Sequence, residues 1–437
     1  MKTGLFFCLI ILASCHKTSS DDLLPYQEKP NIILILGDDV GYELFTCNGG
    51  QSYSTPAIDN LAQQGMRFTQ CHACPNCSPT RIELLTGKYG FRNYITWGYL
   101  DPSQKTIANM LRDGGYKTCV AGKWQLDGGD QSIRALGFDK YSVFEPFISN
   151  ERLENRYRYK NPKIFENGQY IPDSVTRNKY ADDLFADYIC KFIDSNLSDP
   201  FFIYYPLSLC HAPFSPTPDD PEFGSWDPLQ DESDSLFFPS MVRYMDKKVQ
   251  QVVDKVETAG LRQKTIIIFM GDNGTPPQIT SIYNGQSIAG GKGTTTIYGT
   301  HVPLIIDWSG FVSPGQTSHG LVDPSDFLPS IAEMAKINKP VNYGPLDGTS
   351  FYPALSGSTA RLRDWIYCYW KPENLNPIFR VWVHDENYKS YDSTNQNLFF
   401  NIGDDPLELN AIPYDQMNAD EQARKNLFDD ILQTMHN

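Results

Sequence analysis

Hydrophobic residues occur along this chain in two patterns, short continuous runs and helical repeats, and the two patterns alternate. The uninterrupted apolar run Asn31–Leu36 is typical of a strand that is buried on both faces of a parallel sheet. Comparable runs predict further strands at Tyr116–Ala121, Pro200–Tyr205 and Lys264–Met270. Apolar residues at helical spacing predict helices at residues 55–65, 107–112 and 239–259. Strands that alternate with helices in this way predict an α/β fold.

The pattern changes towards the C-terminus. Shorter runs with alternating apolar residues predict strands near Phe379–Val383, Tyr388–Tyr391 and Asn397–Asn401, followed by a helix from about Ala419. We therefore predict a small α+β C-terminal subdomain at residues 352–437, after a larger α/β domain at residues 28–351.

The N-terminus has the features of an export signal. A lysine is followed by an apolar run that is too short to span a bilayer, and the run ends in Leu12-Ala13-Ser14-Cys15. This ending is similar to a bacterial lipobox, so we expect residues 1–15 to be the signal, with a lipid anchor on Cys15 and a polar tether at residues 16–27. The protein would then face the periplasm or the surface of a bacterium. An ordinary cleaved signal with free secretion is the alternative.

Composition and charge limit the choice of partner. The chain has 437 residues, of which 41% are hydrophobic, as in a compact globular protein. Its net charge of −15 argues against a nucleic-acid partner, which requires a basic face. A small anionic substrate remains compatible with this charge only if a few cations dominate one pocket.

Polar side chains follow several of the predicted strands at the point where each strand ends. Asp38 and Asp39 follow the first strand, and Asp272 and Asn273 follow a later one, while Lys123 and His211 also come after strands. Ligands of α/β sheets bind beyond the carboxyl ends of the strands, so we expect these residues to form one site. The oxygen donors of the four acidic and amide side chains favour Ca²⁺ or Mg²⁺ over zinc.

A second candidate site is the segment "NCSPTR", in which Cys77 precedes a predicted helix start. Ser78 is a good N-cap and Pro79 suits the first helical position, so Cys77 is expected at the positive end of a helix. The helix dipole and Arg81, one turn further on, favour an anion or a thiolate there.

Closely spaced cysteines also occur in iron–sulfur sites, zinc sites and disulfide bonds. Cys71, Cys74 and Cys77 have the spacing of an iron–sulfur loop, but Arg81 stands where the fourth cysteine is required. A zinc site lacks a second ligand pair at the required spacing. A disulfide bond that uses one of the three cysteines stays open.

Taken together, these motifs resemble the formylglycine-dependent sulfatases of the alkaline-phosphatase-like superfamily. The segment from Cys77 to Arg81 matches the signature C-x-P-x-R, and the resemblance extends from about Lys29 to Glu408. Supporting matches are "PNIILILGDDVGY", "GYKTCVAGKW", "GDNGTP" and "GGKGTT". The resemblance implies a large mixed sheet flanked by helices.

The resemblance also implies a mechanism. A maturation enzyme would oxidise Cys77 to formylglycine, whose hydrate is a geminal diol. One diol oxygen would attack sulfur, and the second hydroxyl would later expel sulfate. Because the ligands are oxygens that do not impose a strict octahedron, we expect Ca²⁺ rather than Mg²⁺. The implied metal ligands are Asp38, Asp39, Cys77, Asp272 and Asn273.

The remaining implied roles belong to cationic and polar side chains. Arg81, Lys123 and Lys292 would hold the sulfate oxygens, and His211 would protonate the departing alcohol oxygen with help from Lys292. Gln125 stands where the family usually has histidine, so this position binds by hydrogen bonds and cannot act as a base. His301 also stands where many members have arginine, which marks a subgroup.

The predicted function is hydrolysis of sulfuric esters of a sulfated sugar or polysaccharide. A phosphodiester or phosphonate hydrolase of the same superfamily is the first alternative, because sulfate and phosphate esters share their geometry. A catalytically impaired protein that binds sulfated glycans is the second, because of Gln125.

Overall fold

A computed structural model describes residues 29–144, 146–147, 156–338, 341–371 and 379–435. The predicted signal segment 1–15 with Cys15 and the tether 16–27 lie outside these ranges. The strands, in chain order, are β1 (Asn31–Gly37), β2 (Met66–His72), β3 (Lys117–Lys123), β4 (Lys140–Phe144), β5 (Phe165–Glu166), β6 (Gln169–Tyr170), β7 (Phe201–Pro206), β8 (Thr265–Gly271), β9 (Thr280–Tyr283), β10 (Gln286–Ala289), β11 (His301–Trp308), β12 (Gln316–Val322), β13 (Ile366–Trp370), β14 (Arg380–His384), β15 (Tyr388–Tyr391) and β16 (Phe399–Asn401).

The longer helices connect these strands. They are α1 (Pro56–Gln64), α2 (Cys77–Thr86), α3 (Ile107–Asp113), α4 (Gly129–Ala135), α5 (Ala181–Asp194), α6 (Phe238–Thr258), α7 (Phe327–Met334) and α8 (Ala419–Met435). Single α-helical turns occur at Gly90–Asn93, Asp173–Thr176, Ile297–Thr300 and Tyr352–Leu355. Within the described residues, no helix combines the length and the apolar character needed to cross a membrane.

A ten-stranded mixed sheet forms the centre of the molecule, which confirms the predicted fold class. Its order is β12-β2-β11-β8-β1-β7-β3-β4-β5-β6. Strand β1 is parallel to both of its neighbours, β7 and β8. Strand β11 is antiparallel to β8 and β2, so it begins at the edge where the parallel strands end. Catalytic groups carried by several distant segments can therefore meet at one edge.

The two faces of the sheet are both covered by helices, as the continuous apolar runs predict. In β1, Ile32, Leu34 and Leu36 face one hydrophobic cluster, which includes residues of α2, α3 and α7. Ile33 and Ile35 face the opposite cluster, with residues of α1, α5 and α6. The seven residues of β1 are all buried, so burial on both faces fixes this strand in the middle of the sheet.

A smaller antiparallel sheet, β13-β14-β15-β16, follows towards the C-terminus. Helix α8 packs on it through Phe428 and Leu432, which share a hydrophobic cluster with Val381 and Val383 of β14. The same cluster contains Tyr89 from the larger part of the chain. The prediction of a smaller C-terminal sheet and a terminal helix is confirmed, and this sheet packs against the loops that follow α2.

The start of α1 is stabilised by a distant residue. Thr55 is the N-cap residue, yet its side chain makes no capping hydrogen bond. The carboxylate of Asp246 in α6 instead accepts hydrogen bonds from the backbone N–H groups of Ala57 and Ile58, at 3.0 and 2.9 Å. Because the first N–H groups of a helix have no partner within the helix, Asp246 replaces the local cap.

Candidate active site

The predicted site residues lie at the carboxyl edge of the central sheet. Asp38 and Asp39 follow β1, Asp272 and Asn273 follow β8, and Lys123 is the last residue of β3. Since β1 lies directly between β7 and β8 in the sheet, the loops after these strands are adjacent. The structure therefore brings these five side chains together, although the sequence separates them widely.

Two buried carboxylates form the floor of the site together with two cations. Lys123 Nζ lies 2.8 Å from Asp38 Oδ1, and Arg81 Nη2 lies 2.8 Å from Asp272 Oδ2 and 3.5 Å from Asp38 Oδ1. Burial alone would raise the pKa of Asp38, but the charges of Lys123 and Arg81 outweigh it and hold that pKa far below its usual range. Asp38 is thus held ionised in the interior.

The pKa of Asp272 is shifted in the opposite direction from that of Asp38. Burial, with a contribution from the negative charge of Asp38, raises the pKa of Asp272 to about 7. A cation between the two carboxylates would favour the ionised form and reverse this direction.

Asp39 and Asn273 lie beside this floor. Asp39 has a left-handed backbone with φ of 61°, and its N–H donates to Asp272 Oδ1 at 2.9 Å. Its carboxylate accepts from Asn273 Nδ2 at 2.9 Å and from Lys292 Nζ at 2.5 Å. Burial would lower the pKa of Lys292, but the neighbouring carboxylate of Asp39 outweighs it and raises that pKa. Lys292 is therefore a fixed positive charge in the site.

The donor set at this edge fits a hard divalent cation. The ligand atoms of Asp38, Cys77 and Asp272 all lie within 4.8 Å of one another. The side-chain oxygen of Asn273 is buried, and within the described part of the chain it accepts no hydrogen bond. A buried oxygen without a donor is costly unless a cation or water meets it. Carboxylate and amide oxygens suit Ca²⁺ or Mg²⁺, so these residues could hold such an ion.

Cys77 is the first residue of α2, which corrects one local prediction. The N-cap is Asn76, with an extended backbone, and Ser78 and Pro79 lie within the first helical turn. Asn76 does not cap the helix with its side chain, because its Oδ1 accepts a hydrogen bond from Trp370 Nε1 at 3.0 Å. Burial raises the pKa of the Cys77 thiol, although Lys123 and Lys292 act in the opposite direction. The unmodified residue is therefore a buried neutral thiol rather than a thiolate.

Gln125 contacts Cys77 directly. The Cys77 Sγ atom lies 3.3 Å from Gln125 Oε1, to which the thiol donates. Gln125 is 8% exposed and has a left-handed backbone with φ of 49°. The residue that departs from the family pattern is thus within hydrogen-bonding distance of the reactive position.

His211 lies at the more open side of the site. Its Nδ1 donates to the carbonyl oxygen of Ala212, and its Nε2 lies 3.9 Å from Asp39 Oδ2. The hydroxyl of Tyr159 fixes this loop by donating to the backbone oxygens of Ser208 and His211. Burial, with the charges of Lys292 and Arg158, lowers the pKa of His211 well below its usual value. Because Nδ1 is bound to the backbone, Nε2 is the ring nitrogen that is directed towards Asp39.

One cation was not identified from the sequence. The guanidinium of Arg158 lies 3.7 Å from Asp38 Oδ2 and 4.9 Å from the ring centre of Phe144, and its side chain is 1% exposed. Arg158 lies in a loop without a motif, so no spacing pattern pointed to it. With Arg81, Lys123 and Lys292 it gives four fixed cations against the three carboxylates with which they pair. The site is therefore suited to an anion, although the chain as a whole is strongly acidic.

The C-terminal sheet supports two catalytic segments, which the sequence did not indicate either. Besides the contact of Trp370 with Asn76, Lys389 Nζ donates to the backbone oxygen of Thr295 at 2.5 Å. The hydroxyl oxygen of Tyr391, whose proton is donated to Glu408, accepts a hydrogen bond from Thr295 Oγ1 at 2.6 Å. Thr295 lies three residues after Lys292 in the same loop. The smaller sheet thus fixes both the residue before Cys77 and the loop that carries Lys292.

Among the residues that the structure describes, the remaining cysteines and histidines do not form a second metal centre. In the described part of the chain, no group of three such ligands gathers around Cys71 or Cys74. His301 stacks on Tyr42 and on His72, with ring centres 4.0 and 4.9 Å apart. His301 therefore has a packing role at the start of β11, where many family members have arginine.

The chain is similar to known proteins over most of its length. The family model described as Sulfatase matches residues 30–337, and the model described as N-sulphoglucosamine sulphohydrolase, C-terminal, matches residues 297–436. The chain is 28% identical to arylsulfatase G of Mus musculus over 404 residues, which cover 82% of this chain and 73% of that protein. It is 27% identical to the N-acetylgalactosamine-6-O-sulfatase of Bacteroides thetaiotaomicron over 449 residues, covering 85% of this chain and 84% of that protein.

A solved structure has the same overall fold. The structure of Ps i-CgsB in complex with k-i-k-neocarrahexaose superimposes with a TM-score of 0.75 at 24% identity. The match covers 94% of this chain and 92% of that one.

Proposed function

This chain belongs to the sulfatase family and is a sulfuric ester hydrolase, and we propose that it removes sulfate from a sulfated carbohydrate by means of a formylglycine formed at Cys77. The observation that carries this proposal is the position of Cys77 in a pocket where fixed cations outnumber the carboxylates that pair with them. The intact signature from Cys77 to Arg81 supports the modification.

Two relatives support the carbohydrate part of the proposal. The similar protein of Bacteroides thetaiotaomicron is an N-acetylgalactosamine-6-O-sulfatase. The alignment with it covers most of both chains. Ps i-CgsB has been solved with a carbohydrate, k-i-k-neocarrahexaose. A sugar sulfate presents a small anion on a neutral polar ring, and this combination suits a cluster of buried cations.

The exposed fractions of the side chains distinguish an inner part of the site from an outer part. Cys77 and Lys123 are 0% exposed and Arg81 is 1% exposed. Lys292 and His211 are 18% and 24% exposed, so they lie nearer to solvent. We assign the inner cations to the sulfate oxygens and the outer pair to the ester oxygen that connects sulfate to the sugar. This order places the leaving group within reach of His211.

His211 is assigned the role of general acid. Its Nδ1–H is held by the Ala212 carbonyl, so the proton that it can transfer is on Nε2 of the imidazolium. The cationic neighbours Lys292 and Arg158 disfavour the imidazolium in the empty site. A bound sulfate ester would offset their charge, because an anion nearby favours the protonated ring. Binding of the substrate and protonation of His211 are thus coupled.

The groups that bind to or form in this site would supply the remaining chemistry. A divalent cation held by oxygens of Asp38, Asp272 and Asn273 would lower the pKa of an adjacent hydroxyl and polarise the sulfate, and we propose Ca²⁺ for this position. The hydrated formylglycine would provide a hydroxyl nucleophile. Gln125, at 3.3 Å from Cys77 Sγ, orients that position by a hydrogen bond.

Peptide mass spectrometry combined with paired substrates tests this proposal. Protein produced with a formylglycine-generating maturation enzyme should contain an aldehyde at residue 77 and should hydrolyse sugar sulfates faster than the matching phosphates. Cys77→Ala is the control and should have no turnover. An unmodified thiol at Cys77 in fully active enzyme would exclude the formylglycine mechanism. A preference for phosphate or phosphonate esters would favour the alternative hydrolase activity, and binding of sulfated glycan without turnover would favour the binding protein.

A further inference from the structure

Two cysteines outside the catalytic groups are in direct contact. The Sγ atoms of Cys74 and Cys368 lie 3.6 Å apart, although 294 positions separate the two residues in sequence. Their side chains are 3% and 5% exposed, so the pair is enclosed by protein. The eight cysteines that the structure describes are all in the thiol form.

The pair lies where the two parts of the molecule meet. Cys74 is in the loop between β2 and α2, three residues before Cys77. Cys368 is the central residue of β13, the edge strand of the smaller sheet, and is paired with Trp382 of β14. The two cysteines also share a hydrophobic cluster with Trp370, which binds Asn76.

We propose that Cys74 and Cys368 form a disulfide bond in the mature exported protein. This proposal concerns a covalent modification at the junction and is independent of the chemistry at Cys77. It uses the export that the N-terminal segment predicts, because disulfide bonds persist in oxidising compartments. The sulfur atoms must approach from 3.6 Å to the bond length of about 2 Å.

That approach is open to side-chain rotation. The backbone of the Cys74 loop is held on both sides, since Ala73 N–H donates to Thr300 O at 2.7 Å and Gly293 N–H donates to Pro75 O at 3.0 Å. The Cys368 backbone is held by its pairing in β13. Both backbones are thus already fixed next to each other, and rotation about the two Cα–Cβ bonds moves the sulfur atoms together.

The oxidation removes two protons and two electrons from the thiol pair. An external disulfide, such as that of a dithiol oxidoreductase in the exporting cell, is the oxidant. The Cys74 thiolate attacks one sulfur of that disulfide and releases the other as a thiolate, and the Cys368 thiolate then displaces the second oxidant sulfur from Cys74. The protons of both thiols pass to solvent and the two thiolates of the oxidant are released. Because both sulfurs are buried in the folded protein, this exchange must precede the final docking of the smaller sheet.

The bond would have two consequences. It would join the loop that carries Cys77 covalently to the sheet that already positions this loop through Trp370. It would also prevent Cys74 from forming an incorrect disulfide bond with Cys77.

A peptide map of wild-type protein tests the proposal directly. Free thiols are alkylated at cell lysis, and the exported protein is digested with trypsin without reduction. The tryptic peptides at residues 68–81 and 364–380 contain Cys74 and Cys368 respectively. We expect one linked species with a mass two hydrogens below the sum of the peptides, and fragmentation should locate the link at Cys74. Both peptides recovered as separate alkylated species, or a link that uses Cys71 or Cys77, would overturn the proposal.

Two variants provide a matched comparison. Cys74→Ser should abolish the linked species and lower the Tm by about 5 °C, and reductant should lower the Tm of the wild type to the same value. Cys71→Ser, at a buried cysteine in β2, should retain the linked species. A reductant-induced fall in Tm of equal size in Cys74→Ser would contradict the assignment. If Cys74→Ser does not fold, the peptide map of the wild-type protein is sufficient to test the proposal.

Discussion

Replacement of Gln125 by alanine separates a hydrogen-bonding role from an essential chemical role at the reactive residue. Gln125 lies 3.3 Å from Cys77 Sγ and cannot take a proton at any accessible pH. Its backbone is left-handed, with φ of 49°, and alanine experiences the same backbone restriction as any other side chain that has a Cβ atom. The substitution therefore removes the amide group without a change in backbone preference.

The expected cost follows from the loss of one hydrogen bond. The net contribution of one hydrogen bond is about 1 kcal/mol. If its loss leaves a buried partner without a hydrogen bond, the cost rises to as much as ~3 kcal/mol. Because Gln125 is 8% exposed, water can replace part of the lost contact, and we expect the lower part of this range. A loss of about 1 to 2 kcal/mol corresponds to a fall in kcat/KM of roughly 5-fold to 30-fold.

The assay compares kcat/KM for a sugar sulfate in the wild type and Gln125→Ala, with the aldehyde content at residue 77 measured in both preparations. Cys77→Ala, which cannot form the aldehyde, gives the background rate. Normalisation to aldehyde content excludes a defect in maturation. Gln125→His, which restores the usual residue of the family, is the matched variant and should be active. A loss in Gln125→Ala equal to that in Cys77→Ala would refute the argument, because it would give Gln125 a chemical function that an amide cannot supply by hydrogen bonding alone.

Four further predictions concern other parts of the chain. Asp272→Ala should remove both the bound cation and the activity, and metal analysis should find Ca²⁺ in the wild type; stoichiometric zinc would contradict the assignment. His211→Ala should reduce turnover of a sugar sulfate far more than that of a nitrophenyl sulfate, because nitrophenol leaves without protonation; equal losses would exclude a general acid. Asp246→Ala should destabilise the protein by about 2 to 4 kcal/mol, since two backbone N–H groups at the start of α1 lose their acceptor, and Asp246→Asn, which keeps one acceptor oxygen, should lose less in denaturant unfolding. Cys15→Ala should move the protein from the membrane fraction to the soluble fraction or block its processing; a wild type that is already soluble and without lipid would disprove the anchor.

The strands with continuous apolar runs were predictable because burial on both faces leaves a direct mark on the sequence. The predicted strand Asn31–Leu36 matches β1, and the predicted strand Tyr388–Tyr391 matches β15. Strand β2 was not predicted, because polar and charged residues such as Arg67 and Gln70 interrupt its apolar pattern. It nevertheless lies between β11 and β12 in the sheet, where long-range pairing determines the structure.

The candidate site was predictable as far as its residues lie at strand ends or within motifs. Asp38 and Asp272 are carried by such segments, and the structure places both beside Cys77. Arg158 and Trp370 could not be found, because each acts through a contact between segments that are distant in sequence and neither lies in a recognisable pattern. The same reason applies to Asp246, whose carboxylate caps a helix that begins far earlier in the chain.

The position of β1 in the sheet also determines when Cys77 can be reached during synthesis. Asn31 at the start of β1 is 170 residues before its contact in β7 and 234 residues before its contact in β8, so the first strand has no neighbour until much of the chain has been made. At about 5 to 20 residues per second, translation of the first interval takes roughly 10 to 30 s. Once it has been made, the segment around Cys77 waits for the rest of this interval on a chain whose first strand has no neighbour, whereas in the finished protein its side chain is 0% exposed. The maturation enzyme that we propose for Cys77 would therefore act on the growing or newly released polypeptide, and the order of the strands sets the length of that interval.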